Sequence, residues 1–531
     1  MSFARFRSAS LCLARFPCDR ADREETGDSG TNLRSAYHRA PRPRARPRDG
    51  ARVAVFRHGE MPLGRVGCGA LQSVLPAPAL PRPRLLEITW PIFSENLLHM
   101  LVGVFGVWLV SRLSDEAAAA YGLSNQIMLT FMITFRFVSV GASVVVTQYL
   151  GARDRAGAEQ VARASLAANL WLGVFSFAVI AIGARPLLEL MRLPPSLFPI
   201  AEPYLIAVGV MLAFDAVNFS MGSVLRAHTY TRDTLRLIVV MYVVQLALSL
   251  PLMFGVAGAP GLGMMGLALA AVVGRALSFW MHRQLWISRL GIRPTFEDFW
   301  RIRPDRLREM LHIGLPGAGE NVVYRISFMI ILAMVANMGQ TALTTHTYTM
   351  QIMHFLLLFG MAIGFGTEIV VGHHIGAGDL QGADRLVRGG LAIGFCVCVS
   401  LVLATALLGP HLLGLFSRDP EVIATGSRLL WLTLLVEPGR TLNLVVINGL
   451  RATGDARFPV GFGVFSMFAV AVGLSWLLGV HLGWGLAGVW VAYAADEWVR
   501  GLVMAARWHF LGWVPHARRT FRRVRLSSRP A

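Results

Sequence analysis

Residues 375–388 read IGAGDLQGADRLVR, and residues 150–163 read LGARDRAGAEQVAR. Both are small, glycine-punctuated, charged connectors set between long apolar runs, and they lie 225 residues apart. The same offset relates PIFSEN at 91–96 to PGAGEN at 316–321, QIM at 126–128 to 351–353, and Gly141 to Gly366. It also relates Asn218 to Asn443 and LRA at 225–227 to 450–452. One register held across most of each half means that the chain is a duplicated unit. The Gly and Asp of the connector suit a tight turn followed by a helix N-cap, so the connector reads as architecture.

The duplicated material is a membrane bundle. The 531 residues are 54% hydrophobic and only 15% charged, where soluble domains average about 25% charged. Crossing a layer roughly 30 Å thick takes about 20 apolar residues as a helix. Runs of that length fall near 87–111, 122–149, 161–184, 202–225, 235–256 and 264–287, then near 311–337, 347–373, 388–409, 423–449, 458–480 and 484–507. None shows the ten-residue alternation of a membrane β-barrel. The expected fold is an all-α membrane protein of twelve transmembrane helices in two parallel six-helix repeats, related by a pseudo-twofold axis along the membrane normal.

Arginine sets the sidedness. The even-numbered connectors and the tail after the last span are Arg-rich, whereas the odd ones hold only Arg112, Arg185, Arg192 and Arg418. Positive loops stay inside, so both termini are expected in the cytoplasm. The domain reading follows. Residues 1–84 are an Arg/Pro-rich extension expected to be disordered, with Met61 an alternative start. Residues 85–287 are the first lobe, 288–310 a cytoplasmic connector, 311–507 the second lobe, and 508–531 a basic tail suited to anionic lipid. The formal charge of +19 comes from 50 basic residues, all of them Arg; spread over loops, it does not make a nucleic-acid footprint. Cys396 and Cys398, at i and i+2, point to different helix faces, and Cys12, Cys18 and Cys68 lie in the extension, so neither a disulfide framework nor a metal site is expected.

The second half, from LPGAGENVVYRISF through VVGHHIGAGD (315–379), resembles the multidrug and toxic compound extrusion (MATE) transporters. TWPIFSENLLHMLVGVFGVWLVSRL, VVVTQYLGARD and INGLRATGD resemble the matching family blocks. The resemblance runs from about residue 85 to 510. It implies two lobes around a central cleft and export of organic, often cationic, compounds against inward H⁺ or Na⁺. There are departures. An Asp common fifteen residues after the first-helix Pro is Gly106 here. An acid found in some members before the second LRG-type motif is Arg440, its first-half counterpart being Asp215. A Glu eight residues after the seventh-helix Pro is Tyr324, with Glu320 one turn earlier.

Ionisable groups inside spans cost about 2.5–3.5 kcal/mol each on the insertion scale and so need partners or water. Glu320 and Glu95 each follow a Pro by four residues, where a helix has a spare carbonyl, and they are the first candidates for the coupling site. Asn321, Asn96 and Tyr324 stand beside them, and a Na⁺ is conceivable at Glu320. Asp215 and Glu368 come next, with a salt bridge to Arg136 or Arg325 as the alternative. Glu437 with Arg440 (i, i+3) and Asp496 with Arg500 (i, i+4) read as structural pairs. Glu497, at the repeat position of Arg275, could face it across the axis. Gln126 and Gln351 recur and could touch substrate. The expected function is a secondary antiporter of the bacterial inner membrane, a monomer without cofactor, exchanging a small organic substrate for H⁺ or Na⁺ by alternating access. A lipid-linked oligosaccharide flippase is the alternative, kept open by Arg136, Arg325 and Arg440. No hydrolase or metalloprotease motif appears.

Overall fold

The computed structural model describes residues 84–255 and 260–527. The extension expected over 1–84 lies outside the described residues save Arg84. The first lobe runs α1 (Leu85–Ser111), α2 (Asp115–Gly151), α3 (Arg155–Leu190), α4 (Phe198–Ala227), α5 (Thr231–Phe254) and α6 (Met264–Leu285). After the connector helix α7 (Phe296–Trp300), the second lobe runs α8 (Pro304–Ala336), α9 (Gln340–Ala377), α10 (Leu380–Leu407), the short α11 (Gly409–Gly414), α12 (Pro420–Thr453) and α13 (Arg457–Ser466), which continues through wide turns to His481. It closes with α14 (Gly485–His509), and α15 (Val514–Ser527) follows. Eleven of the described segments are long and apolar enough to cross a membrane. The twelfth crossing helix, α14, has 25 residues, but every 18-residue stretch of it contains Asp496, Glu497 and Arg500.

The duplicated connector folds as its sequence implies. Asp154 accepts a hydrogen bond from Gly157 N at 2.8 Å and caps α3; Asp379 does the same from Gly382 N at 2.7 Å and caps α10. The residue before each cap is left-handed: Gly378 at φ 77° in one copy, Arg153 at φ 65° in the other. Glycine holds that backbone at no steric cost, whereas the copy at 150–163 makes the same turn with a non-glycine residue, Arg153.

The two lobes meet along a seam at the Arg-rich end, and the seam is itself twofold. Gln148 Nε2 donates to Ala452 O at 2.9 Å, and its repeat partner His373 shares a hydrogen bond with Ala227 O at 2.9 Å. Gly141 lies against the backbone of Met310 and Gly314, while Gly366 lies against Leu85 and Thr89, the repeat equivalents of those residues. Gly151 and Gly376 each touch the other's strip of backbone. Small residues let helix backbones approach where lipid gives no hydrophobic drive, and here a Cβ at any of these glycines would fall inside contact distance. Ile88, Ile92, Ala362, Ile369 and Val370 form the apolar packing just above.

Two outer elements bind to the same end. The connector's α7 starts with a capping box at Thr295 and Asp298 and packs on α3, where Trp171 Nε1 donates to Trp300 O at 3.2 Å. Burial alone would raise the Asp298 carboxyl, but bonds from the Thr295 amide (2.9 Å) and hydroxyl (2.8 Å) and the Arg163 guanidinium hold it below the usual carboxylate range. Trp513, just before helix α15, and Ala517, Thr520 and Val524 within it are buried, while Arg519 and Arg522 are exposed. Ala517 joins the second lobe's core and Val524 the first lobe's, and Arg523 donates to Gln148 Oε1 at 3.0 Å.

Candidate functional site

Above the seam lies a cavity of about 420 Å³, lined mainly by α1, α2, α4, α5 and α6 of the first lobe, with Arg325, Phe365, Glu368 and Ile369 contributed by the second. Its wall is apolar and aromatic, with Met128, Met132, Met211, Phe105, Phe219 and Tyr121 prominent. Met and aromatic side chains adapt to varied organic shapes.

The charges in this wall divide into those with partners and those without. Glu95 Oε1 accepts from Arg226 NH1 at 2.8 Å. Asp215 Oδ1 lies 3.4 Å from Arg275 Nε, and Arg275 also donates to Gln245 Oε1 and stacks over Tyr242, 5.4 Å from its ring centre. His99 Nδ1 and the Tyr242 hydroxyl are hydrogen-bonded. Glu368 is 3% exposed and its Oε2 has no partner. Arg136 and Arg325 line the cavity and make neither a hydrogen bond nor an ion pair with any described residue.

The matching region of the second lobe is shut. Arg440 bonds Glu497 at 2.9 Å and also Glu437; Asn443 donates to Glu497 at 3.1 Å; Arg500 holds Asp496 at 2.6 Å and Glu497 at 3.2 Å; Ser466 donates to Asp496 at 2.6 Å. Only about 30 Å³ is left between these residues, Tyr324 and Tyr493. Asp215 with Arg275 and Arg440 with Glu497 occupy equivalent places with their signs exchanged. Glu497 therefore does not face Arg275 across the axis; each closes an ion pair within its own lobe.

Of the residues the sequence singled out, the structure brings Glu95, Asn96, Asp215, Glu368, Arg136 and Arg325 to the cavity. Glu320 lies outside it, buried, with Oε2 held by Arg451. Asn321 bonds its own helix at Gly317 O, 3.0 Å, and Tyr324 stacks on Phe328. Gln126 and Gln351 are not in the cavity wall. Asp215 pairs with Arg275 rather than with Arg136 or Arg325. The pairs Glu437 with Arg440 and Asp496 with Arg500 form as their spacing implies.

Sequence reasoning missed Arg226 and Arg451, which read as topology-setting loop residues. The signal was present: Glu95 to Arg226 and Glu320 to Arg451 both span 131 residues, so the Pro-x-x-x-Glu segment and the LRA segment of each half are two ends of one bridge. A feature found at both repeat positions braces the lobe. At the repeat positions of Glu368, Arg136 and Arg325 the other half holds Ser143, Met361 and Met100, so the fold itself does not demand them.

A duplicated bundle of twelve crossing helices, sealed at one end below a charged cavity, defines a multi-pass membrane protein of transporter architecture. The chain belongs to the MatE family, whose model matches residues 91–250 and again 316–477, once per repeat. It is 36% identical over 450 residues to the uncharacterized transporter YisQ of Bacillus subtilis, covering 83% of this chain and 98% of that protein. It is 26% identical over 450 residues to the probable multidrug resistance protein NorM of Rhodopseudomonas palustris, covering 81% and 92%. In fold it resembles the Vibrio cholerae MATE transporter VcmN in its bent form, with TM-score 0.74, 19% identity, and coverage of 82% and 97%. It likewise resembles a transporter of the MOP superfamily from Pyrococcus furiosus, with TM-score 0.73, 18% identity, and coverage of 81% and 96%.

Proposed function

We propose that this chain is a secondary antiporter of the bacterial inner membrane that exports drug-sized organic molecules in exchange for H⁺ by alternating access. The relatives named as multidrug resistance proteins support export, and the positive-inside pattern puts the sealed Arg-rich end in the cytoplasm. The structure is then the outward-open member of the cycle. The observation that carries the reading is Glu368: a buried carboxylate in the cavity wall, beside the seam, with one oxygen unpartnered and with Arg451, already engaged by Glu320, as its charged neighbour.

A carboxylate in that position has two fates. Deprotonated, it attracts a cationic group of the cargo; protonated from the outer side, it releases that group and removes a charge that resists burial when the cleft closes. Cargo and proton then compete for one acid, which is the condition for exchange. Glu320 and Glu95 fit a structural role instead, because each already has a guanidinium on its carboxylate and a Na⁺ would have to displace it. The free arginines favour the flippase alternative, but the cavity volume suits a small organic molecule, not an oligosaccharide carried on a lipid.

Flux of a fluorescent organic substrate in proteoliposomes decides the matter. A pH gradient imposed without a Na⁺ gradient should drive uphill movement in the wild type and not in Glu368→Gln. Movement that follows Na⁺ alone, or that ignores both gradients, refutes H⁺ exchange.

A further inference from the structure

Helix α15 lies across the seam. Its first half is seated on the second lobe: Trp513, just before it, stacks on Trp508 of α14 with ring centres 4.4 Å apart. Ala517 is buried in that lobe's core, and Thr520 Oγ1 donates to Thr453 O at 3.0 Å. The tip of the helix belongs to the other lobe. Val524 is fully buried in the core built chiefly by α2, α3 and α4, and Arg523 donates to Gln148 Oε1 at 3.0 Å. Gln148 is itself fully buried, and its amide nitrogen joins the lobes at Ala452 O. A guanidinium on the amide oxygen fixes that side chain with its nitrogen toward the seam. The repeat shows that the fold does not require this arrangement. Residues 514–527 correspond, at the 225-residue offset, to 289–302. There α7 packs against Trp171 of α3 and Phe279 of α6, both in its own lobe. The seat is equally particular to the second half. Gly378 (φ 77°) and Gly454 (φ 94°) make the two turns that α15 covers, and a Cβ on them would come 3.0 Å from the Phe521 ring and 2.7 Å from Thr520 Oγ1. Their repeat partners, Arg153 (φ 65°) and Thr229 (φ 67°), hold the same left-handed backbone with side chains attached. The turn can be made without glycine, and what the second half gains at both positions is room for α15.

We propose that α15 is a strap that locks the cleft shut at the Arg-rich end: anchored on the second lobe, it grips the first through Arg523 and Val524, and that tip must lift before the seam can part. The tip can be docked only while the lobes are together, because its anchor is on one lobe and its contacts are on the other. Burial of a valine and one charge-assisted hydrogen bond therefore favour the state closed at this end and contribute nothing to the state open there. The exposed Arg519 and Arg522 face away from the grip and take no part in it. The inference rests on the alternating-access reading, in which this seam opens once in each cycle.

The test measures the seam directly. Spin labels at Ala156 and Gln381, repeat partners at this end, report the lobe separation by double electron–electron resonance on the full chain, without its native cysteines, in lipid nanodiscs. The parent chain should show mainly the short separation at neutral pH and gain a longer one as the pH is lowered. Val524→Asp should raise the longer population at neutral pH by about tenfold or more, the scale of one buried valine. Arg523→Gln combined with Val524→Ala should shift it the same way by a smaller factor, without placing a charge in the core. Arg519→Gln combined with Arg522→Gln should leave the distribution as it was. If Val524→Asp fails to fold, as loss of its melting transition would show, the milder double variant decides. A longer population unchanged in the tip variants, or raised equally by the outward arginine changes, overturns the strap. Opening of the parent chain at low pH with no effect of the tip variants removes the strap and leaves alternating access standing; one fixed separation in every variant at every pH removes both.

Discussion

Replacing Gly376 by Ala puts a methyl group against the backbone of Gln148 and Ala152, in a seam where neither chain can retreat without breaking the Gln148–Ala452 or His373–Ala227 hydrogen bonds. Its repeat partner Gly151 meets His373 and Gly376 in the same way. Overpacking of this kind costs about 1–3 kcal/mol, and the cost applies only while the seam is closed. At 1.4 kcal/mol per factor of ten, the population open at the Arg-rich end should rise by about 5- to 150-fold. The assay is the rate at which an impermeant maleimide, added to vesicles exposing that end, reacts with a cysteine placed at the cavity residue Ser143 in a chain lacking its native cysteines. The wild-type background should react slowly, and Gly151→Ala and Gly376→Ala should each react faster by a similar factor. Unchanged rates for both would refute the seam as the closing surface, and a large effect at one glycine alone would refute its twofold character.

Three further outcomes follow from the same geometry. Glu368→Gln should fold normally and flatten the pH dependence of flux, whereas Glu320→Gln should lower the melting temperature by orphaning Arg451 but retain pH-dependent flux; the reverse pattern would return the coupling role to Glu320. Glu497→Gln takes a shared carboxylate from Arg440, Asn443 and Arg500, and removing one partner of a buried pair costs about 3–5 kcal/mol, so thermal unfolding in detergent should show one of the larger losses for any single substitution in the second lobe. Because the folded-state carboxyl of Asp298 titrates below its ordinary range, its contribution to docking the connector is present above the unfolded pKa of about 3.9 and is lost as pH falls through the lower folded value. Protease protection of residues 295–303 should hold from neutral pH to about pH 4 and fail below it, while Asp298→Asn should be cleaved at neutral pH.

The architecture was legible because two independent signals agreed. Span-length apolar runs gave the helices, and the 225-residue register gave the pairing of the halves, down to the Asp154 and Asp379 caps. The last span was legible even though Asp496, Glu497 and Arg500 make it the most charged. The site was legible only in part, for a physical reason. Spacing along one helix fixes i, i+3 and i, i+4 partners, so Glu437 with Arg440 and Asp496 with Arg500 could be read. The bridges from Glu95 to Arg226, Glu320 to Arg451 and Asp215 to Arg275 join different helices, and which arginine reaches which acid depends on tertiary packing. Position after a proline made Glu320 and Glu95 conspicuous, but the repeat that made them conspicuous also marks them as braces. Of the residues left over by the repeat, Glu368 carries the functional reading.

The most direct test is to measure the two ends of the cleft at once. Spin labels at Ala156 and Gln381, repeat partners on the Arg-rich end, and at Arg112 and Asn337, repeat partners at the opposite end, report the two lobe separations in nanodiscs. Lowering the pH should lengthen the first distance and shorten the second, and a cationic aromatic substrate should oppose that shift. Two distances that stay fixed, or that lengthen together, would contradict exchange by alternating access.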